Sequence, residues 1–274
     1  MVEEKACAKI NIALEVMDTV DGYHKVNNIM IPIHIFDYLT LTKADSIEIK
    51  NDPFPGENII TKAAKLFFDY TKINGGVYIE LEKNIPHAAG LAGGSTDAAA
   101  TLKGLNKLYN TNLTKDELKE LGGKLGSDVP FFIEGKPALC TNRGEIINPL
   151  ESNLDKFPIL LIKPNTGLST AAVYKNYVYN NESKKDKLDN LIKALANNDL
   201  KLLKDNIFND LGAVALSLNS DMKAIYDKIS ALGYKVYISG SGPTMYILEF
   251  DVEDMILLKN KLPKETFVMI CHSI

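Results

Sequence analysis

The feature that most constrains this chain is a run of small residues in its first half, Pro86-His87-Ala88-Ala89-Gly90-Leu91-Ala92-Gly93-Gly94-Ser95-Thr96. A strand-like segment, Val77 to Leu81, precedes it. A helical pattern, Ser95 to Tyr109, follows it, with alanines first and then Leu102, Leu105 and Leu108 at three-residue steps. Glycine permits a tight turn and a close approach of backbone to ligand. The helix start offers unpaired N–H groups and the positive end of the dipole, so the whole makes a phosphate cradle. Ser95 and Thr96 add hydroxyls able to donate or to ligate magnesium. The plainer alternative is a glycine turn with Ser95 or Thr96 as helix cap. The run is longer than a turn needs, which favours the cradle. It is not a Walker A loop, since no lysine follows the last glycine, and its spacing differs from the dinucleotide fingerprint. Asp97 suits a helix start yet competes with phosphate for the same N–H groups, and it reads as a cap or a supporting partner.

Phosphate held this way needs charge from elsewhere. Lys9 lies in an alternating segment, Ala6 to Val16, which predicts a half-buried strand. Ala6, Ala8, Ile10, Ile12, Leu14 and Val16 share one face; Lys9 and Asn11 lie on the other. From this segment alone, Lys9 reads as a lysine snorkelling from a solvated sheet face. Asp128 stands between small residues and an apolar run in Gly126-Ser127-Asp128-Val129-Pro130-Phe131-Phe132. It is either a helix or turn cap or a functional carboxylate, and the segment leaves both open. A late segment, Ser239-Gly240-Ser241-Gly242-Pro243-Thr244, is an ordinary turn or a loop packed against the phosphate loop, where larger side chains would collide.

The rest of the pattern mixes strands and helices without the regular alternation of a doubly wound sheet. Helices are predicted over Asn58 to Tyr70, Thr114 to Leu125 (a Thr114–Glu117 capping box), Leu216 to Leu232 and Val252 to Leu262. Strands are predicted over Ile159 to Ile162, Lys235 to Ile238, Thr244 to Phe250 and Phe267 to Cys271. The fold class is therefore α+β. Asn180 to Asn190 reads as a solvated loop. Asn148 to Pro158 is the better domain boundary, giving 1–152 and 153–274.

An early Lys-x-Asn strand, the central Pro-x-x-x-Gly-Leu-x-Gly-Gly-Ser-Thr and the late Ser-Gly-Ser-Gly-Pro-Thr resemble, in that order, the three motifs of the GHMP kinases. Asp21-Gly22-Tyr23-His24 and Leu125 to Phe132 resemble the branch of that superfamily whose substrate bears a cytidyl group, in the non-mevalonate isoprenoid (terpenoid) pathway. The resemblance implies a two-domain architecture, an N-terminal mixed sheet with helices and a C-terminal antiparallel ferredoxin-like sheet, with a crevice between. It implies transfer of the ATP γ-phosphate, with Mg2+, to the 2-hydroxyl of that substrate. Lys9 and Asp128 would be the catalytic pair, and Pro86 to Thr96 the ATP phosphate loop. Tyr23 and His24 would read cytosine, Thr170 and Tyr174 would form the second wall of that pocket, and Asn11 would touch substrate near the reacting centre. Ser239, Gly240, Ser241 and Gly242 would form the loop beside the phosphates, and Ser95 is the protein ligand open to magnesium. Departures are small: Ala92 where many relatives have glycine, Thr96 where many have serine, Tyr174 where many have phenylalanine. Rival readings are a kinase of the same superfamily acting on mevalonate, phosphomevalonate or homoserine, and a silent nucleotide sensor.

Composition narrows the partners. The net charge of −4, from 31 basic and 35 acidic residues, argues against nucleic acid and anionic membrane as partners. Three widely spaced cysteines exclude a disulfide scaffold and a zinc finger and point to a reducing compartment. No apolar run nears the roughly 18 residues of a membrane span, and the acidic N-terminus is unlike a signal peptide. The expectation is a cytoplasmic enzyme, monomeric or weakly dimeric, with ATP and a small cytidyl molecule as its partners.

Overall fold

The structure is a computed structural model, and it describes residues 1–20, 22–50 and 58–274. Its spine is a long antiparallel hairpin of β1 (Val2–Val20) and β2 (Tyr23–Ala44). β4 (Gly76–Glu82) pairs antiparallel with β2, and β3 (Ile47–Lys50) lies parallel to β4. On β2 also sits β5 (Ala138–Thr141), itself paired with β6 (Ile146–Pro149). A two-residue β8, Phe208–Asn209, runs parallel to β1 at the far edge. This sheet is therefore mixed. The second sheet is antiparallel throughout, in the order β11 (Phe267–His272), β7 (Pro158–Lys163), β10 (Met245–Ile247), β9 (Tyr237–Ile238).

Helices cover one face of the first sheet: α1 (Ile59–Thr71), α2 (Gly93–Tyr109), α3 (Lys115–Leu125) and the short α4 (Val129–Glu134). The expected Thr114–Glu117 capping box opens α3. The other face of the β1–β2 hairpin packs against the second sheet. Ile10, Ile12, Ile29 and Ile31 meet Ile159, Leu161 and Tyr246 in one core, with Leu188, Leu191 and Leu195 of α6 (Lys185–Ala196).

That arrangement corrects the half-buried strand expected over Ala6 to Val16. From Ala8 to Val16 the strand is buried on both faces, Lys9 and Asn11 included, so Lys9 does not snorkel from a solvated face. Nor is the apolar stripe continuous. The register shifts between Cys7 and Ala8, so Ala6 packs with the helix-side core while Ala8, Ile10 and Ile12 pack between the sheets. A second shift between Asn11 and Ala13 breaks the ladder again beside the two polar residues.

Other expectations need adjusting. Residues 185–190 are helix, not loop, because Leu188 and Leu191 draw that stretch into the core. The helix expected over Leu216 to Leu232 is two, α8 (Gly212–Leu218) and α9 (Ser220–Ala231). Asn219 breaks it: its side chain accepts the Met222 N–H at 2.9 Å and so caps the second helix. The strands expected over Lys235 to Ile238 and Thr244 to Phe250 shrink to β9 and β10. Between them lies only the Ser239–Thr244 loop; α7 (Leu200–Asn206) precedes β8, and α10 (Val252–Lys261) precedes β11. No helix among the described residues is long and apolar enough to cross a membrane.

Candidate active site

Helix α2 starts at Gly93, two residues before the sequence predicts, and its N-cap is Ala92 in the left-handed region at φ +57°. Ala92 has no side-chain oxygen, so no cap engages the first amides. Thr96 N–H is the first to bond within the helix, to Ala92 O at 3.0 Å, and the N–H groups of Gly93, Gly94 and Ser95 have no helical acceptor. Neither Ser95 nor Thr96 caps, so that expectation falls. Ser95 faces a cavity of about 970 Å3, which the small residues from Pro86 to Gly90 and from Ala92 to Gly94 also line. Leu91 and Thr96 do not face it; they are 1% and 2% exposed and turn into the protein. Thr96 is therefore no magnesium ligand.

Lys9 enters the same cavity from β1. Its Nζ donates to Asn11 Oδ1 at 2.6 Å and to Gly90 O at 2.9 Å, and Asn11 Nδ2 donates to Asn28 Oδ1 at 2.7 Å. Burial pushes the Lys9 ammonium below its ordinary pKa, and the carboxylate of Asp128 opposes that shift through space. Asp128 occupies the N-cap position of α4 but makes no capping hydrogen bond. Among the described residues its carboxylate has no hydrogen bond or ion pair, with Lys9 or any other group; it stands half-buried in the cavity wall. Of the two readings open in the sequence, the cap is excluded.

The late loop seats on the early one. Ser239 Oγ donates to Gly90 O at 3.0 Å, and Thr244 N–H donates to Ala89 O at 3.2 Å. Gly240 sits at φ +59°, and a Cβ added there would lie 3.2 Å from Asn11 Oδ1 and 3.4 Å from Lys9 Nζ. Ser241 Oγ meets Thr170 Oγ1 at 2.8 Å, joining this loop to α5 (Thr170–Asn176). The close-packed alternative therefore describes Ser239 to Thr244; Gly240 and Ser241 face the cavity, Ser239 and Gly242 support it.

The cavity's far end is aromatic. His24 lies 5.9 Å from Tyr174 and 6.0 Å from Tyr177, ring to ring, and Tyr23 stands 59% exposed at the mouth. The Met17 carbonyl can only accept, so the 3.0 Å contact makes His24 Nδ1 the donor and leaves Nε2 as an acceptor in the neutral ring. Asp21 of the same motif lies outside the described residues.

This geometry has close parallels among known proteins. Residues 58–136 match the family model described as GHMP kinases N terminal domain, and residues 191–266 match GHMP kinases C terminal. The chain is 40% identical to a 4-diphosphocytidyl-2-C-methyl-D-erythritol kinase of Clostridium beijerinckii, over 95% of each chain. It is 40% identical to the kinase of that name from Clostridioides difficile, over 95% of this chain and 91% of that one. The chain belongs to the GHMP kinases. A crystal structure of 4-(cytidine 5'-diphospho)-2C-methyl-D-erythritol kinase superposes with a TM-score of 0.80 at 29% identity, covering 99% of both chains. A homoserine kinase from Cytophaga hutchinsonii shares the fold at TM-score 0.75 and 16% identity. The chain is thus a small-molecule kinase with the two-part α+β fold of its family, and ATP is a substrate.

Two parts of this GHMP kinase site were not legible in the sequence. One is a buried cluster beneath the phosphate loop. Lys83 Nζ donates to Asp97 Oδ2 at 2.6 Å and to Asp37 Oδ2, and Asp37 Oδ1 accepts the N–H groups of Asn84 (2.6 Å) and Ile85 (2.8 Å). Asp97 therefore turns away from the helix start and does not compete with phosphate. It is a supporting partner, not a cap. Asp37 and Lys83 are 46 residues apart, and no local pattern joins them. The other part is Arg143, whose guanidinium lies 5.0 Å from the Tyr23 ring; it is the only arginine in the sequence, and that singularity was the available signal.

Two carboxylates share one ammonium here, and Asp97 Oδ1 is buried without a partner. Burial pushes the Asp97 carboxyl up to about 8, with Lys83 opposing. The folded chain then holds a proton that the unfolded chain releases above its ordinary pKa of 3.8, so stability falls as pH rises from about 4 to about 8. Asp97→Asn removes this titration. The variant should gain stability relative to the parent as pH rises through that window, and thermal unfolding midpoints from pH 5 to pH 9 check it. A difference that does not change with pH would show Asp97 ionised throughout.

Proposed function

We propose that this GHMP kinase transfers the γ-phosphate of ATP to the 2-hydroxyl of 4-diphosphocytidyl-2-C-methyl-D-erythritol. The observation that carries the reading is the single cavity with a phosphate loop and Lys9–Asp128 at one end and His24, Tyr23 and Tyr174 at the other. Mevalonate and homoserine have no base to stack on or read. The relatives at 40% identity bear the name of this activity.

The chain's own groups suit the chemistry. Phosphoryl transfer passes through a loose transition state, so positioning and charge matter more than a strong base. The N–H groups of Gly93, Gly94 and Ser95 would hold phosphate oxygens at the positive end of α2. Asp128, free of other partners, would accept the hydroxyl proton as the bond to phosphorus forms. Lys9 has an ammonium with three donors. Two are spent on Asn11 and Gly90, which aim the third at the attacking oxygen or the γ-phosphate. Asn11, held by Asn28, would sit beside the substrate hydroxyls.

Among the described residues no group of three acidic, histidine or cysteine side chains could hold a metal. The Ser95 hydroxyl faces the cavity and takes no part in any hydrogen bond among the described residues, which fits it as a ligand of Mg2+ arriving with ATP. Bound there, Mg2+ would neutralise phosphate charge. The reading also carries the division at 152/153, a cytoplasmic location, and a monomer or weak dimer.

The test is ADP release by the purified protein with Mg-ATP and, in parallel, the cytidyl substrate, mevalonate, phosphomevalonate and homoserine. Release with mevalonate but not with the cytidyl substrate would overturn the reading. Release with none would favour a silent sensor. His24→Ala should raise KM for the cytidyl substrate at least about 10-fold while KM for ATP stays put, since one base-reading hydrogen bond and a ring contact are lost. Equal rises in both KM values would remove His24 from base recognition.

A further inference from the structure

We propose that Arg143 grips the diphosphate of the nucleotide substrate, between the base pocket and the reacting hydroxyl; this rests on the cytidyl reading above. The chain has thirty lysines and this one arginine, out of 31 basic residues. It stands in the wall of the reaction cavity, on the turn between β5 and β6. One neighbour of that turn belongs to the base end: the guanidinium lies 5.0 Å from the Tyr23 ring centre. The other belongs to the reacting end: a Cβ at Gly144 would lie 3.6 Å from Ser127 Cβ, next to Asp128. A molecule with its base at Tyr23 and its hydroxyl at Asp128 has its diphosphate between them.

The turn is rigid. Asn142 O accepts the Val26 N–H at 2.7 Å, which ties it to β2, and Gly144 N–H donates to Thr141 O at 3.0 Å. Glu145 accepts from Asn142 Nδ2 at 2.5 Å and from the Arg143 backbone N–H at 2.9 Å. Its contact with Arg143 Nε is a loose 3.7 Å, longer than a hydrogen bond. The guanidinium is thus placed but not consumed. The other cations lining the cavity are differently engaged. Lys9 is held by Asn11 and Gly90, Lys83 by two carboxylates, and Lys124 by Glu120 at 3.0 Å. A planar guanidinium matches two phosphate oxygens at once, which an ammonium does not, and its face lies on an aromatic ring without losing edge donors.

The experiment is calorimetric titration of cytidine and of CDP, with the ATP site filled by a non-hydrolysable ATP analogue. The parent should bind CDP about 10- to 100-fold more tightly than cytidine. In Arg143→Ala that gap should shrink to within about threefold with cytidine affinity unchanged, and Arg143→Lys should fall between, keeping charge but losing the fork. In turnover, KM for the cytidyl substrate should rise while KM for ATP holds. A parent-sized gap in Arg143→Ala overturns the proposal. So does an equal loss of cytidine and CDP, which would make Arg143 a prop for Tyr23 only, and so does a rise confined to KM for ATP. A parent that binds neither cytidine nor CDP refutes the cytidyl reading and this proposal together. A parent that prefers CDP and an Arg143→Ala that does too refute this proposal alone.

Discussion

Asp128→Asn should lower kcat by at least about 100-fold while KM for ATP stays within about twofold. The substitution is nearly isosteric, and what it removes is proton-accepting capacity. Asp128 fills the N-cap position of α4 without capping, so loss of the charge takes no hydrogen bond from the helix. Val129 to Ile133 remain buried as before and hold the backbone there. One further effect is electrostatic. The Asp128 carboxylate opposes the burial that depresses the Lys9 pKa, so the amide should depress it further. The alkaline limb of the remaining activity should then move to lower pH if the charged ammonium takes part in transfer, and stay in place if it does not. Rapid-quench measurement of the chemical step, with a pH profile of the residual rate, reads both. A turnover near the parent's would take Asp128 out of proton transfer.

The second large effect concerns two glycines four residues apart that answer to different constraints. A Cβ on Gly90 would lie 2.6 Å from Ser239 O and 2.8 Å from Gly242 O, and both are backbone atoms that cannot swing aside. Gly90 also sits at φ +73°, where an L side chain costs roughly 1–2 kcal/mol. Gly90→Ala must therefore push the two loops apart, and with them the acceptors of Lys9 Nζ and Ser239 Oγ. The expected loss of stability is about 2–4 kcal/mol, together with loss of ATP binding. Gly94 differs. Its Cβ would meet only Ile59 Cγ2, at an ordinary 3.5 Å, and the residue is exposed to the cavity. Gly94→Val should fold and melt like the parent yet fail to bind ATP, because the valine occupies phosphate space. Thermal melts paired with titration of a fluorescent ATP analogue separate the two. A Gly90→Ala variant with the parent's melting point, or a Gly94→Val variant with the parent's ATP affinity, would contradict the corresponding account.

The legible parts of the fold were those written in local pattern. The periodicity of Leu102, Leu105 and Leu108 announces α2, and Thr114 with Glu117 announces α3, because caps and stripes are properties of neighbouring residues. The candidate site was legible as separate motifs, and the structure brings Lys9, Asp128, Gly90 and Gly240 to one cavity. What stayed hidden depended on contacts far along the chain. Lys9 looked solvated because nothing near it in sequence reveals the loops at Gly90 and Gly240 that close over it. The inward turn of Thr96 and the Asp37–Lys83–Asp97 cluster follow from how α2 lies on β1 and β2, which no spacing encodes. Asn219 shows the reverse case: a local capping residue inside an apolar stripe, passed over in the helix expected from Leu216 to Leu232 and decisive in the chain.

The two-sided burial of β1 bears on how the chain is made. β1 leaves the ribosome well before the residues that cover its inter-sheet face, Ile159, Leu161 and Tyr246, which emerge at least 140 residues later than Ile12. The Tyr246 hydroxyl closes that face by donating to Asn11 O at 2.8 Å. Until then a nascent chain presents a row of isoleucines to its surroundings, which is a chaperone's binding signature and an aggregation hazard. Ribosome-bound chains stalled before β7 should stay bound to holdase chaperones, and chains long enough to clear β10 should be released.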